Sequence, residues 1–368
     1  MSDTGRRPPT QTINSGIYGA QLATLLNGGA VAQALSVAAE LGIADALAGG
    51  PMTAVDLAEQ LGTDPDATTR LLRALTSSGV FQETPEGEAA LAPVGQVLRS
   101  GVDGSLRDYA IFVGREWHRA WGELLGAVRS GTPAFELAFG TSFYDYLASN
   151  PESDARWSRY LEQSTDAMIF HDAVLDELDL RGDERIVDLG GGKGAMLAAL
   201  LVRHPGATGV LVDLPFVVSD AHDVLDQQGV ADRCEVIGGS FFDGVPPGGD
   251  VYLLARVVSN WEDDAALALL TDIRSAIAPG GRVFAVEGVV PDDGRPHFTK
   301  IADLGNLMIG GRLRTGSAWR ALLGGAGFEE VEIRTTKSVV FSVVEGRAPG
   351  DRSAAGLAAT ARDMGGTP

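Results

Sequence analysis

Residues 185–194, RIVDLGGGKG, and residues 209–215, GVLVDLP, decide the fold. The first opens as a short apolar run, carries Asp188 near its end, and passes into glycines at 190, 192 and 194. The second is another short apolar run closed by Asp213 and Leu214. Between them, MLAALLVRH places apolar residues at helical spacing. Strand, glycine turn, helix, strand and acid in that order form a unit that holds a nucleoside. The glycines let the backbone turn tightly and approach a ligand, and an acid about twenty residues on holds ribose hydroxyls.

The spacing also selects the ligand. Dinucleotide sites use G-x-G-x-x-G, with a helix N-terminus facing a pyrophosphate. Here the glycines alternate as G-x-G-x-G, and Asp188 stands two residues before the first of them. An acid there suits a cation. S-adenosylmethionine carries an ammonium and a sulfonium and no phosphate, so it fits better than NAD.

Outward from this unit the texture continues as DAHDVLDQQ, CEVIGGS, DVYLLARV, AALALLTDIRSAIA and RVFAVEGVV, and ends in GFEEVEIRTTKSVVFSVVEG. Short apolar runs alternating with helical segments predict a parallel α/β sheet covered on both faces and closed by a strand pair. Upstream, residues 13–50 are Ala- and Leu-rich at helical spacing. The segment from Thr53 then reads helix, turn, helix and a short β-wing, with Thr53 and Asp64 as N-caps and Gly62 as a stop. The expected divisions are a flexible tail at 1–12, a helical dimerisation and winged-helix domain at 13–100, and a helical substrate-pocket and linker region at 101–180. A Rossmann-like cofactor domain at 181–346 and a flexible tail at 347–368 complete the chain.

Charge and composition exclude several function classes. The formal net charge of −20 repels phosphate backbones and anionic lipid surfaces. Within 53–100, three basic residues (Arg70, Arg73, Arg99) face seven acidic ones, so the winged-helix element lacks the basic stripe of a DNA reader. No run reaches the ~18 uninterrupted apolar residues of a membrane span, and the N-terminus has no apolar core of a secretory signal. One cysteine, Cys234, suits a reducing cytoplasm, and the five histidines show no metal-binding spacing. No nucleic acid, membrane or metal partner is expected. Residues 101–180 are rich in aromatics, among them Trp117 and Phe139, and read as the wall of a pocket for a flat substrate. His118, Met168, His171 and Met308 are placed in the same acceptor cavity.

DLGGGKG with LVDLP, together with LARVVSNWEDD, IAPGGRVFAVEGVVPDD, GGRLRT and LLGGAGF, resembles the class I S-adenosylmethionine-dependent O-methyltransferases of the plant caffeate and bacterial polyketide-tailoring type, including anthracycline methyltransferases. LGIADAL, LAEQLGT, RLLRALTSSGVF and FGTSFYDYL extend the resemblance over nearly the whole chain. It implies an α/β fold: a Rossmann-like seven-stranded domain with an all-helical N-terminal dimerisation domain containing a winged-helix element, assembled as a homodimer. By the same resemblance Asp188, Gly190, Gly192 and Gly194 line the methionine part of the cofactor, Asp213 holds the ribose, and Leu214, Ser240 and Phe241 surround the adenine. The family usually has an Asp at Ser240, and a Lys at Ala255, where Arg256 stands next door as a cofactor-binding candidate.

The family's base is missing. The plant members place a His at the position of Ser259, oriented by two acids; one acid is retained as Glu287, and the other falls on Leu313. A serine hydroxyl cannot act as a general base near neutral pH without a base of its own. A base is typically worth ~10²–10⁴-fold, whereas alignment of two reactants can supply roughly 7–11 kcal/mol. The first reading is therefore a cytoplasmic O-methyltransferase of an aromatic or polyketide-like secondary metabolite. It works by proximity, with Asn260 and Glu287 orienting the acceptor and Ser259 as a third candidate in the catalytic group. The second is the same scaffold and cofactor repurposed for hydroxylation, decarboxylation or pericyclic chemistry.

Overall fold

The structure, a computed structural model, describes residues 15–166, 174–338 and 340–350. The chain divides into two compact units at His118/Arg119. The segment 101–180 is therefore not one body: its first part packs with the N-terminal unit and its remainder with the C-terminal one.

In the first unit, the helices Ala54–Leu61 and Pro65–Ser77 begin where short polar side chains satisfy the free N–H groups of a first turn. Thr53 accepts from the Asp56 N–H and Asp64 from the Ala67 N–H. Gly62 takes the left-handed conformation and stops the first of them. An antiparallel ribbon follows, β1 (Phe81–Glu83) against β2 (Ala89–Leu91). Ile43, Leu57, Leu75 and Phe81 form the centre of this unit's core. The helices Ser15–Leu26 and Gly28–Leu41 leave Ile17, Leu22, Leu25 and Leu26 exposed. By length and composition, Gly16–Leu41 would suffice to cross a bilayer.

The second unit is built on a mixed sheet of eight strands: β3 (Arg185–Leu189), β4 (Thr208–Asp213), β5 (Cys234–Gly238), β6 (Val251–Ala255), β7 (Arg282–Val290), β8 (Arg314–Thr315), β9 (Glu329–Thr335) and β10 (Phe341–Arg347). Seven of them run in the order β5-β4-β3-β6-β7-β10-β9, and the two-residue β8 pairs with the end of β7. β5 to β7 are parallel; β10 lies antiparallel between β7 and β9. Because successive strand residues face opposite sides, a strand covered on both faces reads as a continuous apolar run. Val187, Leu189, Tyr252 and Leu254 join one core with Leu269, Ile273 and Trp319, while Ile186, Leu211 and Leu253 join the other with Leu197, Leu201 and Leu225.

The packed chain extends past residue 346, where the C-terminal tail was expected to begin. Arg347 still pairs with Arg282, and Ala348 is buried, its N–H donating to Gly281 O at 2.8 Å. Residues 351–368 lie outside the described residues. The chain leaves β3 to form β4 and β5 on one side and returns to form β6 on the other. Parallel sheets of this kind bind ligands in the crevice outside the carboxyl ends at such a switch point. Asp188, Asp213, Arg256 and Glu287 all stand at or near those ends.

Candidate active site

The turn after β3 is shaped by what a side chain would hit. Gly190 has φ +73°, and a Cβ there would stand 2.7 Å from Val257 Cγ2; at Gly191 it would stand 2.4 Å from Asp188 Oδ2. Gly192 and Gly194 also have positive φ, and Gly194 precedes the helix Ala195–Arg203. The loop is pinned at its start by Gly190 N–H donating to Val212 O at 2.7 Å. Asp213 is satisfied by the loop itself, accepting from Gly192 N–H at 2.8 Å and from Leu214 N–H at 2.7 Å. These bonds hold its pKa down, but desolvation outweighs them and the net direction is upward.

Asp188 is different. It is buried, and neither carboxylate oxygen has a hydrogen-bond partner among the described residues. Desolvation, and then the charge of Asp213, push its pKa from 3.8 up to about 7. A buried carboxylate without a partner is costly unless a cation or donor completes it. Two acids around a glycine turn thus suit an ammonium and repel a phosphate, and the loop's Lys193 is engaged with Asp220 at 3.1 Å. Leu214 is exposed beside this cradle. Phe241 approaches the Gly190 position and belongs to an aromatic group with Phe242 and Trp261, while the Ser240 hydroxyl accepts from Phe242 N–H at 3.2 Å. The cofactor candidates other than Arg256 therefore gather around one turn, and the residues present fit S-adenosylmethionine; Arg256 stands after β6, bonded to Val286 and Asn260.

A second group sits at the ends of β6 and β7. Ser259 and Glu287 are both buried; Ser259 N–H donates to Glu287 Oε1 at 3.1 Å, and the Ser259 hydroxyl bonds the same carboxyl. Desolvation raises Glu287 from 4.5 to about 7 against those hydrogen bonds. Asn260 donates its side-chain N–H to Arg256 O at 3.1 Å. Leu313 packs against the strand at Gly288, where a Cβ would meet it at 2.9 Å.

Arg314, which residue type alone does not separate from Arg312 in GGRLRT, holds this loop. Buried above Trp319, it donates to Val258 O at 2.9 Å and Trp261 O at 2.8 Å and bonds Asp263 at 2.9 Å. Tyr144 and Tyr160 belong to the aromatic-rich segment 101–180, and both phenols interact electrostatically with Arg256. Phe139 stacks on Phe135 at 4.3 Å, beneath the Arg119 guanidinium, and Met308 is fully buried, its carbonyl accepting from Phe135 N–H at 2.9 Å. Trp117, in the first unit, packs edge-on against Phe112, and His118 is exposed there. Met168 and His171 lie outside the described residues. His297 caps the helix Phe298–Asn306 through Thr299, which is a structural role.

Residues 121–329 match the family model of the O-methyltransferase domain, and residues 23–99 that of the O-methyltransferase dimerisation domain. The chain belongs to the O-methyltransferase family. It is 38% identical to a phenazine O-methyltransferase of Lysobacter antibioticus over 89% of this chain and 95% of that protein. It is also 38% identical to the 8-amino-8-demethylriboflavin N,N-dimethyltransferase of Streptomyces davaonensis, over 86% of this chain and 92% of that one. Among solved structures, CalO1, a methyltransferase in calicheamicin biosynthesis in its SAH-bound form, superposes with a TM-score of 0.80 at 32% identity, covering 93% of this chain and all of CalO1.

Proposed function

We propose that this O-methyltransferase family member binds S-adenosylmethionine in the Asp188–Asp213 cradle and methylates an oxygen of an aromatic or polyketide-like secondary metabolite, in the cytoplasm, by alignment rather than with a protein base. The observation that carries the reading is the buried Asp188 carboxylate, neither oxygen partnered among the described residues, beside a glycine turn in which Gly192 faces open space. When bound, the cofactor supplies an electrophilic methyl group on a sulfonium. Asp188 holds its ammonium, Asp213 its ribose hydroxyls, and Leu214 and Phe241 enclose its base. The Ser259 hydroxyl and the Glu287 carboxyl are bonded to each other and hold the turn, and Leu313 supplies no second acid. Glu287 shapes the 258–260 turn that presents Asn260, whose remaining amide atoms position the acceptor. In-line placement supplies the larger part of the rate, roughly 7–11 kcal/mol, against the ~10²–10⁴-fold of a base. The exposed apolar face of residues 15–41, matched in part by the dimerisation model, supports a homodimer.

Purified protein incubated with S-adenosylmethionine and a panel of phenolic and carboxylic acceptors should release S-adenosylhomocysteine in equal amount to methylated product. Acceptor consumed while the cofactor stays unchanged would instead establish the repurposed reaction. Ser259→Ala should keep activity within about tenfold of the parent; a loss beyond ~10²-fold would make the serine a participant.

A further inference from the structure

Arg256 breaks a local rule. β6 ends at Ala255, and the next residue takes the left-handed conformation with φ +58°, one of two non-glycine residues to do so among those described. Glycine makes such a turn freely; a long charged side chain resists it, and such exceptions concentrate at functional sites. The turn is secured from both sides. Arg256 N–H donates to Val286 O at 3.0 Å, and Arg256 O accepts from the Asn260 side chain at 3.1 Å.

The guanidinium that this turn projects is half-buried, and the groups that act on it electrostatically are Tyr160, Glu287 and Tyr144. It therefore belongs with Ser259, Asn260 and Glu287. The charge acting on Asp188 is Asp213, and a fixed cation within that cradle would repel the ammonium and sulfonium that the cradle suits. Tyr144 feels the charges of both Asp213 and Arg256, while the backbone bonds above set Arg256 beside Glu287 and Asn260.

We infer that Arg256 recognises the acceptor: its guanidinium binds an anionic oxygen of an aromatic ring, phenolate or ring carboxylate, in the space shared with Tyr144, Tyr160 and Glu287. Arginine's planar fork matches such an oxyanion, and charge-assisted bonds are the strong ones. An acceptor that enters as its oxyanion has already passed its proton to solvent. That is the condition under which a pocket with Ser259 and Leu313 in place of a base needs none. This inference rests on the proposed function, and refines its acceptor to aromatic oxyanions.

The test titrates the wild type, Arg256→Gln and Arg256→Lys calorimetrically, with and without S-adenosylhomocysteine, using 4-nitrophenol, 2-naphthoate and the neutral 2-naphthol. The wild type should prefer at least one anion over 2-naphthol by about tenfold or more, the size of one charged hydrogen bond. Preference for 4-nitrophenolate identifies the phenolate as the bound group, and preference for 2-naphthoate the carboxylate. Arg256→Gln should lose the preference and keep its S-adenosylhomocysteine affinity within about threefold; Arg256→Lys should retain part of the preference. Absence of any preference in the wild type, or its survival in Arg256→Gln, overturns the inference. So does a tenfold loss of S-adenosylhomocysteine affinity in Arg256→Gln, which would return Arg256 to the cofactor cradle. Failure of the wild type to bind S-adenosylhomocysteine sinks the proposed function instead, and the anion titrations without it still decide for or against Arg256.

Discussion

Asp188 and Glu287 are the side chains whose surroundings yield predictions at the scale of one residue. Both are carboxyls whose folded pKa is raised to about 7, by burial first. With a raised folded pKa, the native state holds protons that the unfolded chain gives up, so the ligand-free protein loses stability as pH rises from about 4 towards 7. Binding a cation reverses the demand, because the ligand needs Asp188 ionised. S-adenosylmethionine affinity should therefore increase as pH rises through about 7, with a proton released on binding. Calorimetry at pH 6, 7 and 8, in two buffers of different ionisation heat, reads both effects. Asp188→Asn should weaken binding by about tenfold or more and remove the pH dependence. Affinity independent of pH in the wild type would contradict the assignment. The importance of Asp188 was legible in the sequence, since an acid two residues before alternating glycines is a pattern of residue types. Its lack of a partner was not, because that depends on what every neighbouring strand end leaves open.

At the scale of an element, the turn 256–263 shows where sequence reading stops. The caps at Thr53 and Asp64 and the stop at Gly62 were readable because they act within four residues of chain. Arg314 acts across 51 to 56 residues of sequence separation, fastening the turn by two carbonyls and Asp263. Within GGRLRT nothing separates Arg314 from the more exposed Arg312 except burial, which the fold assigns. Arg314→Met leaves two carbonyls without their donor and should cost about 3 kcal/mol, as expected when a buried charged partner is removed. Urea denaturation measures the loss, and activity should fall with it because Ser259 and Asn260 ride on the same turn. A variant as stable as the parent would show that the turn holds without the clamp. Leu313, from the same segment, packs beside Gly288 by an apolar contact.

For the whole molecule, the open matter is assembly. Leu25 and Leu26 are each about three-quarters exposed (77% and 76%), on a helix whose neighbours Ile17 and Leu22 are exposed too. A contiguous apolar face of this kind marks an interaction surface, and the dimerisation model begins at residue 23, inside it. Light scattering should give twice the chain mass of 38.4 kDa. Leu22→Asp with Leu25→Asp should shift it to the monomer; a doubly substituted protein that stays dimeric would place the interface elsewhere. The sequence by itself determined the sheet, the glycine turn and the acids at 188 and 213, because strand periodicity, turn chemistry and residue type are local properties. Only the tertiary structure decided that Asp188 finds no partner among the described residues, that Arg314 ties the 258–263 turn, and that Arg256 feels the charges of Tyr160, Glu287 and Tyr144. Those relations join residues far apart in the chain, and burial and charge become meaningful only once packing has set which groups share a space.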